Sequence, residues 1–191
     1  MFQELLKRIA RALDDAHIPY MVSGGQAVLL YGEPRLTRDI DIMLGLGVEG
    51  LKQLEELTAA LGLRSLVAQE KDFVTRTMVL PTIDDRSGIR VDFIFSFSPY
   101  ERQALARAKK IELQGTPVTF VALEDVVIHK VIAGRARDIE DIKAMLVKNP
   151  EYDSEYIERW LQAFDESLSE QFRAVFKRII EELRLCGEAR R

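Results

Sequence analysis

MVSGGQAVLLYGEPRLTRDIDIML, residues 21–44, combines a glycine pair with two aspartates inside an apolar run. Its pattern predicts a short strand over residues 20–23, a turn at Gly24-Gly25 and a short helix over residues 26–31. A second strand is predicted over residues 39–44. The segment therefore predicts a strand–turn–helix–strand unit, with polar groups at the turn and in the second strand.

The second of these strands carries two carboxylates. Because side chains alternate across a strand, Asp39 and Asp41 share one face. Asp92 lies in the apolar strand predicted over residues 89–96, where it points away from the large apolar side chains. If the two strands are neighbours, three carboxylates converge on one open face of the sheet. Such a cluster must protonate or find a cation, and an all-oxygen ligand set suits Mg²⁺ or Mn²⁺.

The glycine pair has the composition of an anion site. A strand that ends at Ser23 and turns into a helix at Gly24 and Gly25 brings backbone N–H groups close to a ligand, which suits a phosphate. Arg35 and Arg38 lie just before the aspartates and could neutralise phosphate charge. Each feature alone has an ordinary explanation as a turn or a polar strand edge, whereas one phosphate chemistry explains all of them together.

Composition places the chain among globular proteins. It has 191 residues, a formal net charge of −4 and a single cysteine, Cys186. The mild charge argues against bulk electrostatic binding to nucleic acid, and one cysteine cannot form an intramolecular disulfide. The N-terminus does not resemble a signal peptide, and no apolar run is long enough to span a bilayer. We expect a soluble, cytoplasmic protein.

The remainder of the chain predicts an α/β (α+β) mixed-sheet core over residues 1–122, followed by a C-terminal helical subdomain over residues 123–191. Residues 64–80 are expected to hold one or two strands, and residues 82–88 a turn. Further elements are expected in the following ranges: helices over 2–16, 51–61 and 99–109, a hairpin around 115–117, and helices over 123–133, 138–148, 154–165 and 168–185.

Gly24-Gly25, the run Asp39–Ile42 and Asp92, in this order, resemble the signature of the DNA polymerase β-like nucleotidyltransferase superfamily. The wider string GGQAVLLYGEPRLTRDIDIML and the later HKVIAGRARDIEDI, residues 129–142, resemble the AbiEii-type bacterial nucleotidyltransferases and their small relatives. The resemblance extends from about Ser23 to Met145.

The resemblance implies Mg²⁺ (or Mn²⁺), an NTP donor, and transfer of a nucleotidyl group to a hydroxyl with release of pyrophosphate. By position, Gly24 and Gly25 would contact the triphosphate, while Asp39 and Asp41 would hold the metal ions. Asp92 would be the third ligand and the base for the acceptor hydroxyl. Many members carry Ser where this chain has Gly25, so a hydroxyl contact to phosphate is replaced by backbone contacts.

Lys130 projects from an apolar helix face, which is costly for an ammonium group without an anionic partner. The triphosphate is one candidate partner, and Asp138 or Asp141 is another. The resemblance implies a site role for Lys130 and for one of the acids, with Asp141 preferred. Asp138 and Asp141 also fit a helix start, as an N-cap and a capping-box acid.

Two surfaces are candidate partner sites. Long apolar stripes on the last two helices would pack on the core as a hairpin or bury against a partner chain, so a dimer through these helices is conceivable. A local excess of basic residues could form the edge of an RNA groove or a solvated helix face. The basic residues are Arg86, Arg90, Arg102, Arg107, Lys109 and Lys110.

These observations leave three functional readings. The leading one is a Mg²⁺-dependent nucleotidyltransferase with RNA or tRNA as acceptor, as the toxin-like half of a toxin–antitoxin pair with a protein antitoxin or regulator. The same chemistry on an antibiotic-like small molecule is the first alternative. The second is a non-catalytic nucleotide-binding sensor or antitoxin module.

Overall fold

The structure, a computed structural model, describes residues 2–34, 36–37, 39–96 and 98–188. Strands and helices are interspersed up to Phe120, and helices follow from Leu123. The strands are β1 Tyr20–Ser23, β2 Asp39–Leu44, β3 Leu63–Ser65, β4 Val79–Asp84, β5 Ile89–Phe95, β6 Lys109–Leu113 and β7 Thr116–Phe120. The α-helices are α1 Phe2–Asp15, α2 Gly24–Tyr31, α3 Leu51–Ala60, α4 Glu70–Thr77, α5 Pro99–Arg107, α6 Leu123–Ala133, α7 Ala136–Lys148, α8 Ser154–Leu168 and α9 Phe172–Glu188.

Most predicted elements are confirmed, and one expectation is wrong. Residues 64–80 hold the expected strands, the end of β3 and the start of β4. They also hold α4, which the sequence did not predict and whose one fully buried residue is Val74. The turn expected over residues 82–88 starts later, since β4 continues to Asp84. Thr82 stays in the strand because its side chain donates to the Val91 carbonyl at 2.9 Å.

The strands of the described residues form one seven-stranded sheet in the order β3-β4-β5-β2-β1-β7-β6. β2 pairs parallel with β5 and antiparallel with β1, and β1 pairs parallel with β7. The sheet is therefore mixed, and the α/β fold class expected from the sequence is confirmed.

The central strands are fixed in register by burial on one face. Ile40 and Ile42 of β2 and Val91 and Phe93 of β5 are all 0% exposed. Burying each such side chain is worth about 1.5–3 kcal/mol, and a one-residue slip of either strand would turn its carboxylates into the core. The same core cluster contains α1 residues such as Ile9. Burial of the apolar face therefore fixes the positions of the carboxylates on the opposite face of the sheet.

Contacts divide the chain into two compact units: residues 1–27 with 36–122, and residues 28–35 with 123–191. The first unit contains the whole sheet. The second contains α6 to α9, and its Lys148 ammonium donates to the Gly32 carbonyl at 2.8 Å. No described helix combines the length and apolar composition needed to cross a membrane. The second unit has its own core, formed by Val127, Ile128, Ile142, Met145, Ile157, Leu161, Phe176 and Ile179.

Candidate active site

Ser23, Asp41 and Asp92 lie side by side on three adjacent strands. Ser23 is opposite Asp41 in the β1–β2 pair, and Asp41 is opposite Asp92 in the β2–β5 pair. Cross-strand partners project from the same face of a sheet, so the two carboxylates are neighbours. The buried Ser23 hydroxyl donates to the Asp41 carbonyl oxygen at 3.4 Å, which links the end of β1 to β2.

Asp39 extends this cluster by one step along β2. It shares the face of Asp41 by strand alternation and is opposite Arg90 on β5. Its side chain is solvent-exposed, and its Oδ1 accepts a hydrogen bond from the Thr37 hydroxyl at 3.1 Å. The three predicted metal ligands therefore lie on one face of two neighbouring strands.

Gly24 is the point where α2 approaches the cluster most closely. Its φ is +59°, and a Cβ atom there would lie 1.8 Å from Asp41 Oδ2 and 2.7 Å from Asp41 Cγ. Both the left-handed backbone and the absence of a side chain are therefore required. The sequence predicted a helix that starts after the glycine pair, at residue 26. In the structure α2 begins at Gly24, which places the Gly25 N–H in its first turn.

Asp41 is the most perturbed carboxyl group of the cluster. Burial raises its pKa to about 6, and the nearby charges of Asp39 and Asp92 act in the same direction. Arg90 and a hydrogen bond from the Gly25 N–H oppose the rise. A half-buried acid surrounded by like charges, beside a glycine turn, is the electrostatic pattern of a cation-binding or catalytic site.

Arg90 is a site residue whose importance was not predicted from the sequence, since it was counted only as part of a basic run. Its Nε donates to Asp92 Oδ1 at 2.8 Å, and this contact raises the pKa of the guanidinium further. The period of two along β5 was the signal that could have found it, because positions 90 and 92 share a face.

The donor set fits a hard divalent cation. It consists of carboxylate oxygens alone, which Mg²⁺ and Mn²⁺ prefer, and it carries more negative charge than Arg90 balances. Among the residues that the structure describes, no group of three or more acidic, His or Cys side chains is already arranged around a metal position. One oxygen of Asp92 accepts a hydrogen bond from Arg90, and one oxygen of Asp39 accepts a hydrogen bond from Thr37. A cation would bind through the carboxylate oxygens that these donors leave open.

Lys130 belongs to the second compact unit and has carboxylate partners there. Its ammonium lies 2.7 Å from Asp138 Oδ1 and 2.7 Å from Asp141 Oδ2, and all three residues are less than 10% exposed. The lysine is buried and paired, as its apolar helix face predicted. Asp138 is not an N-cap: α7 begins after Arg135, and Asp138 accepts from the Arg135 N–H as the third helical residue. Asp141 therefore lies beyond the capping box.

Two further predictions concerned basic side chains. Arg35 and Arg38, the predicted phosphate-binding arginines, lie outside the described residues. The basic run from Arg86 to Lys110 is spread over several elements, and β5 and β6, which carry Arg90 and Lys109, are separated by β2, β1 and β7. An RNA groove edge formed by these residues stays a prediction.

The fold is that of nucleotidyltransferases, as the sequence resemblance predicted. The chain belongs to the family described as "Nucleotidyltransferase of unknown function (DUF6036)", whose profile matches residues 1–183. No curated protein matches its sequence. The closer resemblance to AbiEii-type proteins stays a prediction.

Solved structures with the same fold include antibiotic-modifying enzymes. The crystal structure of ANT(2″)-Ia in complex with adenylyl-2″-tobramycin is similar with a TM-score of 0.58 at 18% identity, covering 93% of this chain and 98% of that chain. The lincomycin-bound lincosamide antibiotic adenylyltransferase LnuA gives 0.53 at 15% identity, covering 74% and 94%. A putative nucleotidyltransferase from Thermotoga maritima gives 0.50 at 18% identity, covering 78% and 94%.

Proposed function

We propose that the chain transfers a nucleoside monophosphate group from an NTP to an acceptor hydroxyl, with release of pyrophosphate and dependence on Mg²⁺ or Mn²⁺. The observation that carries this proposal is the row of Asp41 and Asp92 on adjacent strands, with Gly24 packed directly against Asp41. Family membership supports nucleotidyl transfer in general.

The residues divide the work as follows. The backbone of Gly24 and Gly25 at the start of α2 provides a close approach for phosphate oxygens. The Gly25 N–H is donated to Asp41 in the free chain, so a triphosphate would compete with this carboxylate for the donor. Asp39 and Asp41 would hold the cation. When bound, the cation would neutralise the triphosphate and polarise the α-phosphate.

Asp92 is proposed to accept the proton of the acceptor hydroxyl. The acceptor oxygen forms a bond to the α-phosphorus, the bond between that phosphorus and the α,β-bridging oxygen breaks, and pyrophosphate leaves. The proton passes to Asp92 and then to solvent. Asp92 Oδ1 accepts a hydrogen bond from Arg90, and Oδ2 is proposed to receive the proton. Further roles for Ser23, Arg35, Arg38, Lys130 and Asp141 in nucleotide binding or catalysis stay predictions of the resemblance.

The acceptor is proposed to be an RNA end or a small hydroxyl compound. The sequence resemblance to AbiEii-type proteins favours RNA and a toxin-like role with a protein antitoxin. The spread of the basic run over β5 and β6, which three strands separate, supports the small molecule. The tobramycin and lincomycin ligands of the two antibiotic enzymes show that this fold accommodates small acceptors.

Incubation with α-³²P-labelled NTPs and Mg²⁺ tests the proposal, using total RNA in one set of reactions and aminoglycosides or lincosamides in another. We expect label in one class of acceptor and equimolar pyrophosphate. Asp39→Asn and Asp92→Asn should abolish the transfer. The matched control is Asp85→Asn, an exposed aspartate of the same unit that pairs with Arg64. No transfer to any acceptor, or equal transfer by Asp92→Asn, would contradict the proposal.

A further inference from the structure

Arg90 brings a positive charge into the carboxylate cluster. It is opposite Asp39 in the β2–β5 register, and its Nε lies 2.8 Å from Asp92 Oδ1. It shares the sheet face of Asp39, Asp41 and Asp92. The guanidinium is therefore placed among the carboxylates that a divalent cation would also bind.

The Arg90–Asp92 pair differs from an ordinary surface ion pair. The Asp92 side chain is only 16% exposed, whereas the Arg90 side chain is 53% exposed and can leave into solvent. The Arg64–Asp85 pair at the β3–β4 end of the same sheet has both side chains more than half exposed. That pair has the same chemistry and a similar distance, 2.7 Å, which makes it a matched comparison.

We propose that Arg90 is the resident counter-ion of this cluster: it holds Asp92 in the metal-free chain, competes with the divalent cation for the carboxylates, and positions Asp92 during the reaction. This inference rests on the proposed function. It assigns Arg90 as a positioning residue, since its contact is to Asp92 rather than to a reacting atom.

Two consequences follow from the charge and the geometry. Removal of one positive charge beside the metal position strengthens binding of a divalent ion, by roughly 10-fold for charges about 6 Å apart in a water-like medium. Loss of the hydrogen bond to Asp92 Oδ1 leaves this carboxylate free to rotate. The turnover number should then fall about 10- to 100-fold, while the KM for NTP changes little.

The test is Mn²⁺ binding to the nucleotide-free protein, measured from the electron paramagnetic resonance signal of free Mn²⁺. Arg90→Gln is expected to bind Mn²⁺ about 10-fold more tightly than the wild type. Arg90→Lys, which keeps the charge, should stay within about threefold of the wild type, and Arg64→Gln should not differ from it. Steady-state kinetics then compare kcat and KM for the same four proteins, and Arg90→Lys should recover part of the lost kcat.

The outcomes separate this inference from the proposed function. If the wild type binds Mn²⁺ and Arg90→Gln binds it equally or more weakly, the inference is overturned and the proposed function stands. If neither nucleotide-free protein binds Mn²⁺, the inference is overturned, and the transfer assay with labelled NTPs decides the proposed function separately. If Mn²⁺ binds only after Arg90→Gln, the counter-ion role is supported.

Discussion

Asp41 lies where burial and two neighbouring carboxylates all oppose its ionisation. The protein keeps an acid there although Ile40 and Ile42, its neighbours along β2, are fully buried apolar residues. Folding therefore places the Asp41 carboxylate where Asp39 and Asp92 repel it. Burial of the apolar side chains on the other face of β2 compensates for this repulsion. A site that stores electrostatic strain in the metal-free chain gains stability when a cation binds.

Asp41→Asn should stabilise the metal-free fold at neutral pH. The pKa of Asp41 rises from 3.8 to about 6 on folding, so ionisation opposes folding progressively from about pH 4 to pH 6 and fully above it. The asparagine variant should gain about 1–3 kcal/mol at pH 8 in EDTA and much less at pH 4.5. Urea unfolding at the two pH values measures this difference.

Asp85→Asn is the control of opposite sign. Arg64 lowers the pKa of this exposed carboxyl group through a hydrogen bond, so its loss should leave stability unchanged or slightly reduced at pH 8. A destabilised Asp41→Asn at pH 8 would contradict the electrostatic description of the cluster.

Gly24→Ala should abolish the function of the site at a moderate cost in stability. The new Cβ atom overlaps Asp41 Oδ2 and Cγ, so the carboxyl group must move away from its position. We expect at least a 100-fold loss of nucleotidyl transfer and of Mn²⁺ affinity.

Gly62→Ala separates backbone strain from this collision. Gly62 has a φ of +71° and nothing within 4 Å of its added Cβ atom. It should cost about 1 kcal/mol of unfolding free energy, as left-handed alanine does, and leave transfer intact. Equal activity of the two variants would show that the Gly24–Asp41 contact is not functionally important.

At the scale of single residues, the sequence predicted the members of the cluster better than their contacts. Strand alternation was enough to place Asp39 and Asp41 on one face. The overlap of Gly24 with Asp41 and the Arg90–Asp92 bond depend on how β2, β5 and α2 meet in space. No local pattern determines that geometry, and Arg90 was therefore read as part of a basic run.

At the scale of secondary structure, α6 and α7 are joined by a buried charge cluster. Lys130 on α6 is paired with Asp138 and Asp141 on α7 at 2.7 Å each. One ammonium therefore compensates two carboxylates with little access to solvent. Such a cluster is weak evidence for added stability, but removing one member leaves buried charge without compensation.

Lys130→Met should lower the unfolding free energy of the helical unit by about 3–5 kcal/mol, because two buried carboxylates lose their cation. Trp160, the single tryptophan of the chain, lies on α8 in the same unit, so its fluorescence reports the loss during urea unfolding. The comparison is Lys143→Met, whose ion pair with Glu182 is partly exposed and is worth at most about 1 kcal/mol. Equal effects of the two substitutions would contradict the importance of the cluster.

Element prediction succeeded where apolar periodicity was strong and failed where tertiary contacts decided. β2 and β5 were predicted within a residue because apolar residues, most of them buried, dominate both segments. α4 was missed because one buried residue, Val74, anchors a polar segment. Asp138 was predicted to be a helix N-cap because an aspartate is typical of that position. An aspartate is equally suited to an ion pair with Lys130, and the sequence alone does not distinguish the two roles.

At the scale of the whole molecule, the mixed sheet, the glycine turn and the carboxylates agree with the family assignment. The fold class was predictable from the order of strands and helices, and nucleotidyltransferase membership from the resemblance of the glycine and aspartate motifs to that class. The division between residues 1–122 and 123–191 as separate domains stays a prediction, as does a dimer through the last helices. The apolar stripes of α8 and α9 contribute Ile157, Leu161, Phe176 and Ile179 to the core of their own unit.

Binding of cation and nucleotide should be coupled in the intact protein. Triphosphate and carboxylates are both anionic, so neither gains much from the other without a cation between them. Mn²⁺ and a non-hydrolysable NTP analogue together should raise the midpoint of thermal unfolding by several degrees, and more than the sum of the separate shifts. EDTA should remove the effect, and Asp41→Asn should lack it. Additive shifts would show that the two ligands bind independently.

The most direct test of the central claim is a crystal structure of the protein with Mn²⁺ and a non-hydrolysable NTP analogue, with anomalous diffraction used to locate Mn²⁺. The proposed site predicts an anomalous peak bounded by Asp39, Asp41 and Asp92, with the triphosphate on the backbone of Gly24 and Gly25. Nucleotide bound elsewhere, or a triphosphate at the glycine turn without Mn²⁺ among these carboxylates, would contradict it.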